Sequence, residues 1–267
     1  RDLHSFPTRR SSDLQPLPSP AAYRRDLEKV ARTIVRAGAP DVVGLQEIEN
    51  IAVLEALAAH EALAPYQYLP VLEEGGDSRG IDVGFLIRAD RVEIIEARQY
   101  AEGEDVYPRP PLLVHLRVKE TGTELVVINN HFTAMTTGIA ETEPRRILQA
   151  QGNLQIIEEI REEHPDIPAA VLGDLNAFYH SAPIDTLRSG GLIHVLEKLP
   201  QEQRYTYIFE GQSQVLDHIL VSDALYSRLA RVEILHINSD YPPPDPASDS
   251  PVRKSDHDPV VAVFSMD

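Results

Sequence analysis

Clusters of carboxylates, histidines and amides border short apolar stretches at five places in the sequence. Side chains of these types activate water, transfer protons and hold cations, and loops at strand ends are where a rigid scaffold presents them. The clusters are Gln46-Glu47 after DVVGL, Asn129-Asn130-His131 after LVVI, Gly173-Asp174-Leu175-Asn176 after AAVL, Asp217-His218 within QVLDHILV, and Ser255-Asp256-His257-Asp258 before PVVAVF. Taken together, the set indicates catalysis far more specifically than any one of its members does.

Each cluster alone also has an ordinary structural interpretation. A single glutamate after a strand, such as Glu47, is usually solvated, and Asp174-Leu175-Asn176 could form an Asx-type turn. His131 could be a hydrogen-bonded core histidine. Asp217 is harder to explain in this way, because a buried carboxylate between apolar neighbours needs a partner or a metal. His257, which lies between two aspartates, is the strongest single feature.

The ligand types favour a hard cation over zinc. Carboxylate oxygens such as those of Glu47 and Asp256 suit Mg²⁺ or Mn²⁺, with Ca²⁺ as a third option. Mg²⁺ keeps bound waters and uses few carboxylates together with substrate phosphate, which agrees with a dispersed acidic set. Neither HFTAM nor SDHD contains an H-x-x-x-H pair, and the chain has no cysteine. A zinc site is therefore less expected.

Composition narrows the class of protein without identifying it. The 267 residues include 42 acidic and 25 basic side chains, for a formal charge of -17, whereas a broad basic face for nucleic acid would reverse that balance. An acidic solvated surface and a set of carboxylates that bind cations both remain open. The hydrophobic share of 42% is sufficient for a sizeable core. No apolar run is long enough to span a bilayer, so stable membrane insertion is not expected.

The elements that must position these groups can be predicted from hydrophobic periodicity and capping residues. Ser19 and Pro20 open a helix that Gly38 ends, and a longer helix begins near Pro144. An apolar stripe is expected along the longer helix at Ile147, Leu148, Leu154, Ile157 and Ile160. Helices are expected at about 20–37, 51–63, 144–163 and 184–187, and strands at 41–45, 66–72, 81–87, 92–100, 112–118, 125–130, 169–172, 205–209, 215–221, 231–237 and 259–264. Many strands with few helices predict packed sheets with helices outside, in one α/β domain.

The first fourteen residues, RDLHSFPTRRSSDL, show no hydrophobic period. The stretch Phe6–Leu14 can be encoded by a nucleotide sequence that resembles a common short-read sequencing adapter, so residues 1–14 are interpreted as foreign to the protein. The domain is then expected over residues 15–267. Any signal peptide and any first strand would lie upstream.

Seven motifs occur in a fixed order between about Ala21 and Phe264: LQEIEN, RGIDVGFLIR, RPPL, NNHF, GDLNA, LDHILVS and SDHDPVV. In this order they resemble the endonuclease/exonuclease/phosphatase superfamily, which includes DNase-like nucleases, abasic-site endonucleases and lipid phosphodiesterases. The segments QEIEN, GIDV and HINSDYPPP are most similar to bacterial secreted nucleases, which implies an extracellular protein.

The resemblance implies a four-layered α/β sandwich, in which two mixed sheets pack face to face with helices outside. It also implies that the family's first strand, which carries an asparagine near the metal, is missing, because nothing in residues 1–20 matches it. The implied metal ligands are Glu47, Asp256, Asp174 and Asn176.

Catalytic roles follow from the same resemblance. His257 would act as a general base or position the attacking water, and Asp217 would orient its ring. Asp174 would position the nucleophile or stabilise the leaving group. Asn176, His131 and Arg109 would bind the substrate phosphate.

The implied activity is metal-dependent hydrolysis of phosphodiester bonds, with DNA or RNA as the expected substrate and no obligate protein partner. One alternative is a phospholipid or small-molecule phosphodiesterase or phosphatase of the same fold. Another, of a different class, is a non-catalytic binding module, which the retained polar residues make less expected.

Overall fold

The computed structural model describes residues 19–100, 106–242, 250 and 252–266. The interpretation of residues 1–14 as foreign, and most of the proline-rich stretch 241–251, lie outside these residues. The described α-helices are α1 (Pro20–Arg36), α2 (Ile51–Ala58), α3 (Ile139–Glu163), α4 (Ala182–Ser189) and α5 (Asp223–Tyr226). None of them is long and apolar enough to cross a membrane.

The strands agree with the predicted positions to within a few residues, apart from the short additions noted below. They are β1 (Val42–Ile48), β2 (Tyr68–Leu72), β3 (Asp82–Arg88), β4 (Val92–Gln99), β5 (Leu112–Val118), β6 (Glu124–His131), β7 (Ala169–Asp174), β8 (Ile193–His194), β9 (Tyr207–Phe209), β10 (Gln212–Gln214), β11 (Asp217–Val221), β12 (Leu229–Ile234) and β13 (Val260–Phe264).

Helix α1 begins and ends where its capping residues predict. The Ser19 hydroxyl accepts a hydrogen bond from the Ala22 amide at 3.2 Å, and Pro20 occupies the first turn, where its missing N–H costs nothing. Gly38 ends the helix with a φ of 89°, a left-handed conformation that glycine adopts without strain.

The largest sheet has six strands in the order β4-β5-β6-β7-β11-β8. Its β6–β7 pair is parallel and its other pairs are antiparallel, so the sheet is mixed. A second sheet has the order β1-β3-β2, and β9–β10 and β12–β13 form separate two-stranded ribbons.

Side chains that alternate along the strands build the layers. Val127 on β6 packs with Phe85 of β3 and Ile234 of β12 between the sheets, whereas Ile128 faces the other way and packs with Ile157 of α3. The outer face of the three-stranded sheet packs against α1 and α2. Each fully buried aliphatic side chain contributes about 1.5–3 kcal/mol. The predicted four-layered α/β sandwich is thus confirmed.

Strand β1 lies at the end of its sheet and pairs with β3. It packs over β6 and β7 of the large sheet, whereas β13 packs over β11. Among the described residues, no strand pairs with the other edge of β1. The expectation that the family's first strand is missing concerns the part of the chain before Ser19, which lies outside the described residues, so it stays a prediction.

Helix α3 differs from its prediction in start and in burial. It begins at Ile139, with Pro144 inside it, and Leu148 of the expected apolar stripe is 50% exposed. Beside the predicted Ile157, the buried face carries Arg146, Gln149 and Asn153, because these side chains bond the backbone and amides near the end of β6. The short elements β8, β10 and α5 were also missed, since each is too short for a periodic signal.

Candidate active site

Strand register brings three predicted site residues together. The parallel β6–β7 pair sets His131 opposite Asp174, and the antiparallel β7–β11 pair sets Asp174 opposite Asp217. Residues opposite each other on neighbouring strands lie about 4.5–5.5 Å apart, so their side chains interact. The His131 Nε2 atom lies 3.5 Å from the Asp174 Oδ2 atom.

His257 joins this cluster through Asp217. The His257 Nδ1 atom donates to the Asp217 Oδ2 atom at 2.7 Å, which fixes the ring and leaves Nε2 for another partner. Burial disfavours the imidazolium, but the charge and hydrogen bond of Asp217, with the charges of Asp174 and Asp256, raise the pKa of His257 to about 10. Asp174, Asp217 and His257 each offer a ligand atom within 4.8 Å of one another, so they could hold a metal ion.

Asp174 and Asn176 form the Asx-type turn and belong to the site as well. The Asn176 amide N–H donates to Asp174 Oδ1 at 2.8 Å, and the Asn176 side chain donates to the Phe132 carbonyl at 3.1 Å. Burial raises the pKa of Asp174 to about 7, and the negative charge of Asp217 adds to this effect although His257 opposes it. Asp174 can therefore hold or release a proton near neutral pH.

Gly173 allows β6 and β7 to approach closely at this point. Its φ is 125°, and a β-carbon added there would overlap the Asn130 carbonyl oxygen. Only glycine is free of both problems, because it has no side chain and tolerates positive φ.

Glu47 lies in an irregular part of β1. Its φ is 59°, and the register with β3 shifts between Leu45 and Ile48. A non-glycine residue in this conformation carries strain of about 1–3 kcal/mol, which is typical of functional sites. The charges of Asp256 and His257 both act on the Glu47 carboxylate, so this side chain lies near the cluster.

The carboxylates of the site repel one another, which suits a divalent cation. Burial raises the pKa of Glu47; Arg79 and Arg109 lower it, and the charge of Asp256 raises it again. The negative charge of Glu47 likewise raises the pKa of Asp174. The predicted ligands Glu47, Asp256, Asp174 and Asn176 have the oxygen donors that hard cations prefer. Of the three carboxylates, only Asp174 belongs to the group whose ligand atoms lie within 4.8 Å of one another, so ligation by Glu47 and Asp256 stays a prediction.

Arg109 lies behind the site with its guanidinium engaged. It donates to the carbonyl oxygens of His131 and Phe132 at 3.2 and 2.8 Å, and to the Asp77 carboxylate at 2.8 Å. Its side chain is 5% exposed. These contacts fix the end of β6, so phosphate binding by Arg109 remains a prediction that would require its remaining N–H groups.

His131 is buried and neutral. Burial lowers its pKa well below the usual value, and the positive charges of Arg109, Arg79 and His257 lower it further. Its Nδ1 atom has no hydrogen-bond partner among the described residues. A neutral imidazole can donate one hydrogen bond to a phosphate oxygen without adding charge.

Sequence reasoning gave no separate role to Asp258, yet it anchors the loop that carries His257. It is 2% exposed, and its carboxylate accepts hydrogen bonds from three consecutive backbone amides and from two side chains. The amide donors are Ile237, Asn238 and Ser239, and the side-chain partners are Ser239 and His236. Asn238 then donates to the His257 carbonyl at 2.6 Å. The SDHD motif signalled Asp258 as a charged neighbour, but nothing in it indicated burial.

Two further histidines support the site from behind. His218 Nε2 donates to the Ala177 carbonyl at 2.8 Å, and its Nδ1 lies 2.8 Å from His194 Nε2. The Leu196 amide donates to His194 Nδ1, so both rings are neutral and the three bonds run in one direction. His194 lies outside every predicted motif, and no sequence signal identifies it.

Comparison with solved structures finds the same fold. The mannosyl-6-phosphatase of Bacteroides thetaiotaomicron VPI-5482 is 22% identical, with a TM-score of 0.64 over 91% of this chain and 92% of that one. D. rerio TDP2 complexed with a single-strand DNA product is 21% identical, with a TM-score of 0.65 over 90% of this chain and 92% of that one. The human Nocturnin catalytic domain with bound sulfate is 17% identical, with a TM-score of 0.65 over 91% of this chain and 86% of that one. At these identities the likeness concerns the fold alone.

A search of curated proteins found no match. The profile of the Endonuclease/Exonuclease/phosphatase family matches residues 19–236, which is most of the chain and includes the sequence from α1 to β12. The chain therefore belongs to the endonuclease/exonuclease/phosphatase family, whose members are phosphodiesterase and phosphatase hydrolases.

Proposed function

We propose that this protein is a divalent-metal-dependent phosphodiesterase that cleaves nucleic acid. The observation that carries the proposal is the convergence of the His257–Asp217 pair, the Asp174–Asn176 turn and Glu47 at one end of the two sheets. Phosphodiester hydrolysis needs a group that handles the proton of water, a second for the leaving oxygen, and positive charge for the phosphoryl oxygens. This cluster contains candidates for all three.

The proton-handling groups are His257 and Asp174. With a pKa of about 10, His257 is an imidazolium at neutral pH that can hydrogen-bond a phosphate oxygen or supply a proton. A base role for His257 requires the neutral imidazole, which nearby positive charge favours. Asp174, with a pKa of about 7, can handle the proton of the leaving oxygen while it is not bound to the cation. As a ligand it would be ionised and would position the reacting groups instead.

Glu47, Asp256, Asp174 and Asn176 are the residues that would hold the cation, and we propose Mg²⁺ or Mn²⁺ because the donors are oxygens. When bound, such an ion polarises a phosphoryl oxygen and neutralises developing charge. His131 supplies a neutral donor to the same phosphate. The side-chain amide of Asn176 already donates to the Phe132 carbonyl and to Asp174, so phosphate binding by Asn176 requires it to exchange one of these bonds.

An aromatic pair beside His257 favours nucleic acid over a small diester. The Tyr207 ring centroid lies 4.7 Å from that of His257, and the Tyr207 and Phe209 rings stack at 6.5 Å on one face of β9. Phe209 is 52% exposed. Aromatic side chains of this kind bind unpaired bases by stacking. The single-strand DNA product bound to D. rerio TDP2 shows that this fold accommodates such a ligand.

The proposal is tested with three substrates: supercoiled plasmid, a single-stranded oligonucleotide and bis(p-nitrophenyl) phosphate. Each is incubated with Mg²⁺, with Mn²⁺ and with a chelator. We expect metal-dependent cleavage of at least one nucleic acid, and a loss of at least about 100-fold in His257→Ala. The matched control is His180→Ala, because His180 is exposed on the surface.

The variant Phe209→Ala tests whether the substrate is a nucleic acid or a small diester. We expect about tenfold lower kcat/KM on the oligonucleotide, since stacking is worth about 1–3 kcal/mol per base, and no change on the small diester. Hydrolysis of the small diester with both nucleic acids intact would instead favour the small-molecule alternative, which the mannosyl-6-phosphatase neighbour illustrates. Unchanged turnover in His257→Ala would contradict the assigned chemistry.

A further inference from the structure

The loop of residues 73–81 is fixed in place next to the site. Its Gly75 amide donates to the Asp82 carboxylate at 2.9 Å, and its Asp77 carboxylate accepts from Arg109 at 2.8 Å. Asp77 and Arg109 are both nearly fully buried, with side-chain exposures of 4% and 5%. Because Arg109 also binds the end of β6, this ion pair ties the loop to the strand that carries His131.

Arg79 is the residue that this loop presents to the site. Its backbone amide donates to Asp77 Oδ1 at 2.7 Å, and this bond holds the backbone of Arg79 against the buried Asp77 side chain. Its Nη1 atom lies 3.4 Å from Glu47 Oε1, and the two side chains are 26% and 30% exposed. Arg79 is thus in partial contact with solvent, at the mouth of the cluster.

The two arginines differ in how many donors they have left. Arg109 makes three good hydrogen bonds to the protein. The side chain of Arg79 has a long bond to Glu47 and an ion pair of 3.7 Å with Asp77. A guanidinium has five N–H donors, and its planar fork matches a phosphate. Arg79 is therefore better able than Arg109 to receive a ligand anion.

We propose that Arg79 exchanges partners during substrate binding. It pairs with Glu47 until a divalent cation takes that carboxylate, and it then donates to a phosphate oxygen of the substrate. This rests on the proposed function, because Glu47 is a ligand there. The physical reason is that a cation at Glu47 repels the nearby guanidinium and weakens its hold on the shared carboxylate, while a phosphate offers a new anion within reach of the side chain.

The exchange predicts that Arg79→Gln changes two affinities in opposite directions, strengthening Mn²⁺ binding and weakening phosphate binding. Without substrate, the variant should bind Mn²⁺ about two- to fivefold more tightly, because a partly exposed ion pair that competes for Glu47 is gone. With saturating Mg²⁺, it should bind inorganic phosphate about tenfold more weakly, because a charge-assisted hydrogen bond is lost. Both affinities are measured by calorimetry. Arg117→Gln is the control, since it removes the same charge where Arg117 pairs with Glu93 and Glu124.

Each outcome of the two affinity measurements either supports or overturns the proposed exchange. Tighter Mn²⁺ binding with weaker phosphate binding, absent in the control, supports the exchange. Weakening of both would make Arg79 a purely structural residue and overturn it, as would no change in either. Wild-type protein that binds no Mn²⁺ would overturn the proposed function, and the exchange with it. Wild-type protein that binds Mn²⁺ like the variant would overturn the exchange alone.

Discussion

The buried histidines behind the site should make the fold sensitive to acid. Burial, chiefly, lowers the pKa of His218 from 6.5 to about 4, and burial also lowers that of His194. The unfolded chain then binds a proton at a higher pH than the folded one does. Stability is therefore complete above about pH 7 and is lost as the pH falls from about 6.5 to about 4.

The size of the effect follows from the difference in pKa. A shift from 6.5 to about 4 corresponds to about 3 kcal/mol when the unfolded histidine is fully protonated. About 2 kcal/mol of this is lost between about pH 7.5 and about pH 5. His194 adds a loss of the same sign, whereas the raised pKa values of Asp174 and Glu47 act in the opposite direction.

The variant His218→Gln isolates the contribution of His218. Glutamine does not titrate, but it can still donate to Ala177 and accept from His194. Urea unfolding followed by far-ultraviolet circular dichroism is measured at both pH values for the wild type, for this variant and for His180→Gln. We expect the wild type and His180→Gln to lose about 2 kcal/mol more than His218→Gln on acidification. An equal loss in all three proteins would refute the reasoning, whatever the absolute stability of the variant.

Three further predictions concern the strands, the His257 loop and the cation. Gly173→Ala should cost about 2 kcal/mol or more in urea unfolding, because its methyl group meets the Asn130 carbonyl and its φ is 125°. Gly211→Ala, at a φ of 78° and with only open space around the new methyl group, should cost less. Asp258→Asn should lower kcat about tenfold in the diester assay by loosening the loop of His257, and native circular dichroism would exclude simple unfolding. Mg²⁺ or Mn²⁺ at about ten times its Kd should stabilise the wild type by about 1.4 kcal/mol, visible as a higher Tm that chelator reverses.

Most strands could be predicted because each of them is a short apolar run of ordinary length, whereas β8 and β10 are too short for such a run. The polar residues that border those runs could be identified as well, such as Asp174 at the end of β7 and Asp217 at the start of β11, since the chain direction fixes which edge of a sheet they reach. Their register could not be predicted from periodicity, because it depends on which strands pair. The contact of Asp217 with His257 joins residues forty positions apart.

The supporting residues were less accessible to sequence reasoning. Arg79 was visible in RGIDV, but its position next to Glu47 depends on the buried Asp77–Arg109 pair, which no local pattern encodes. His194 pairs with His218 through a two-residue strand that has no periodic signal. Leu148 was assigned to a buried stripe by its spacing, and is exposed because polar side chains occupy the inner face of α3.

The edge of β1 that pairs with no described strand has a consequence for the behaviour of the purified chain. An unpaired edge offers a row of N–H and C=O groups on which another extended segment can pair, and native proteins usually guard such edges with lysine, proline or a cover. The sequence of β1, VVGLQEI, contains neither lysine nor proline, and no described strand covers that edge. Its bulge at Glu47 limits pairing to the first half of the strand. Light scattering that rises with protein concentration, and that a soluble peptide of this sequence suppresses, would identify β1 as the origin of self-association.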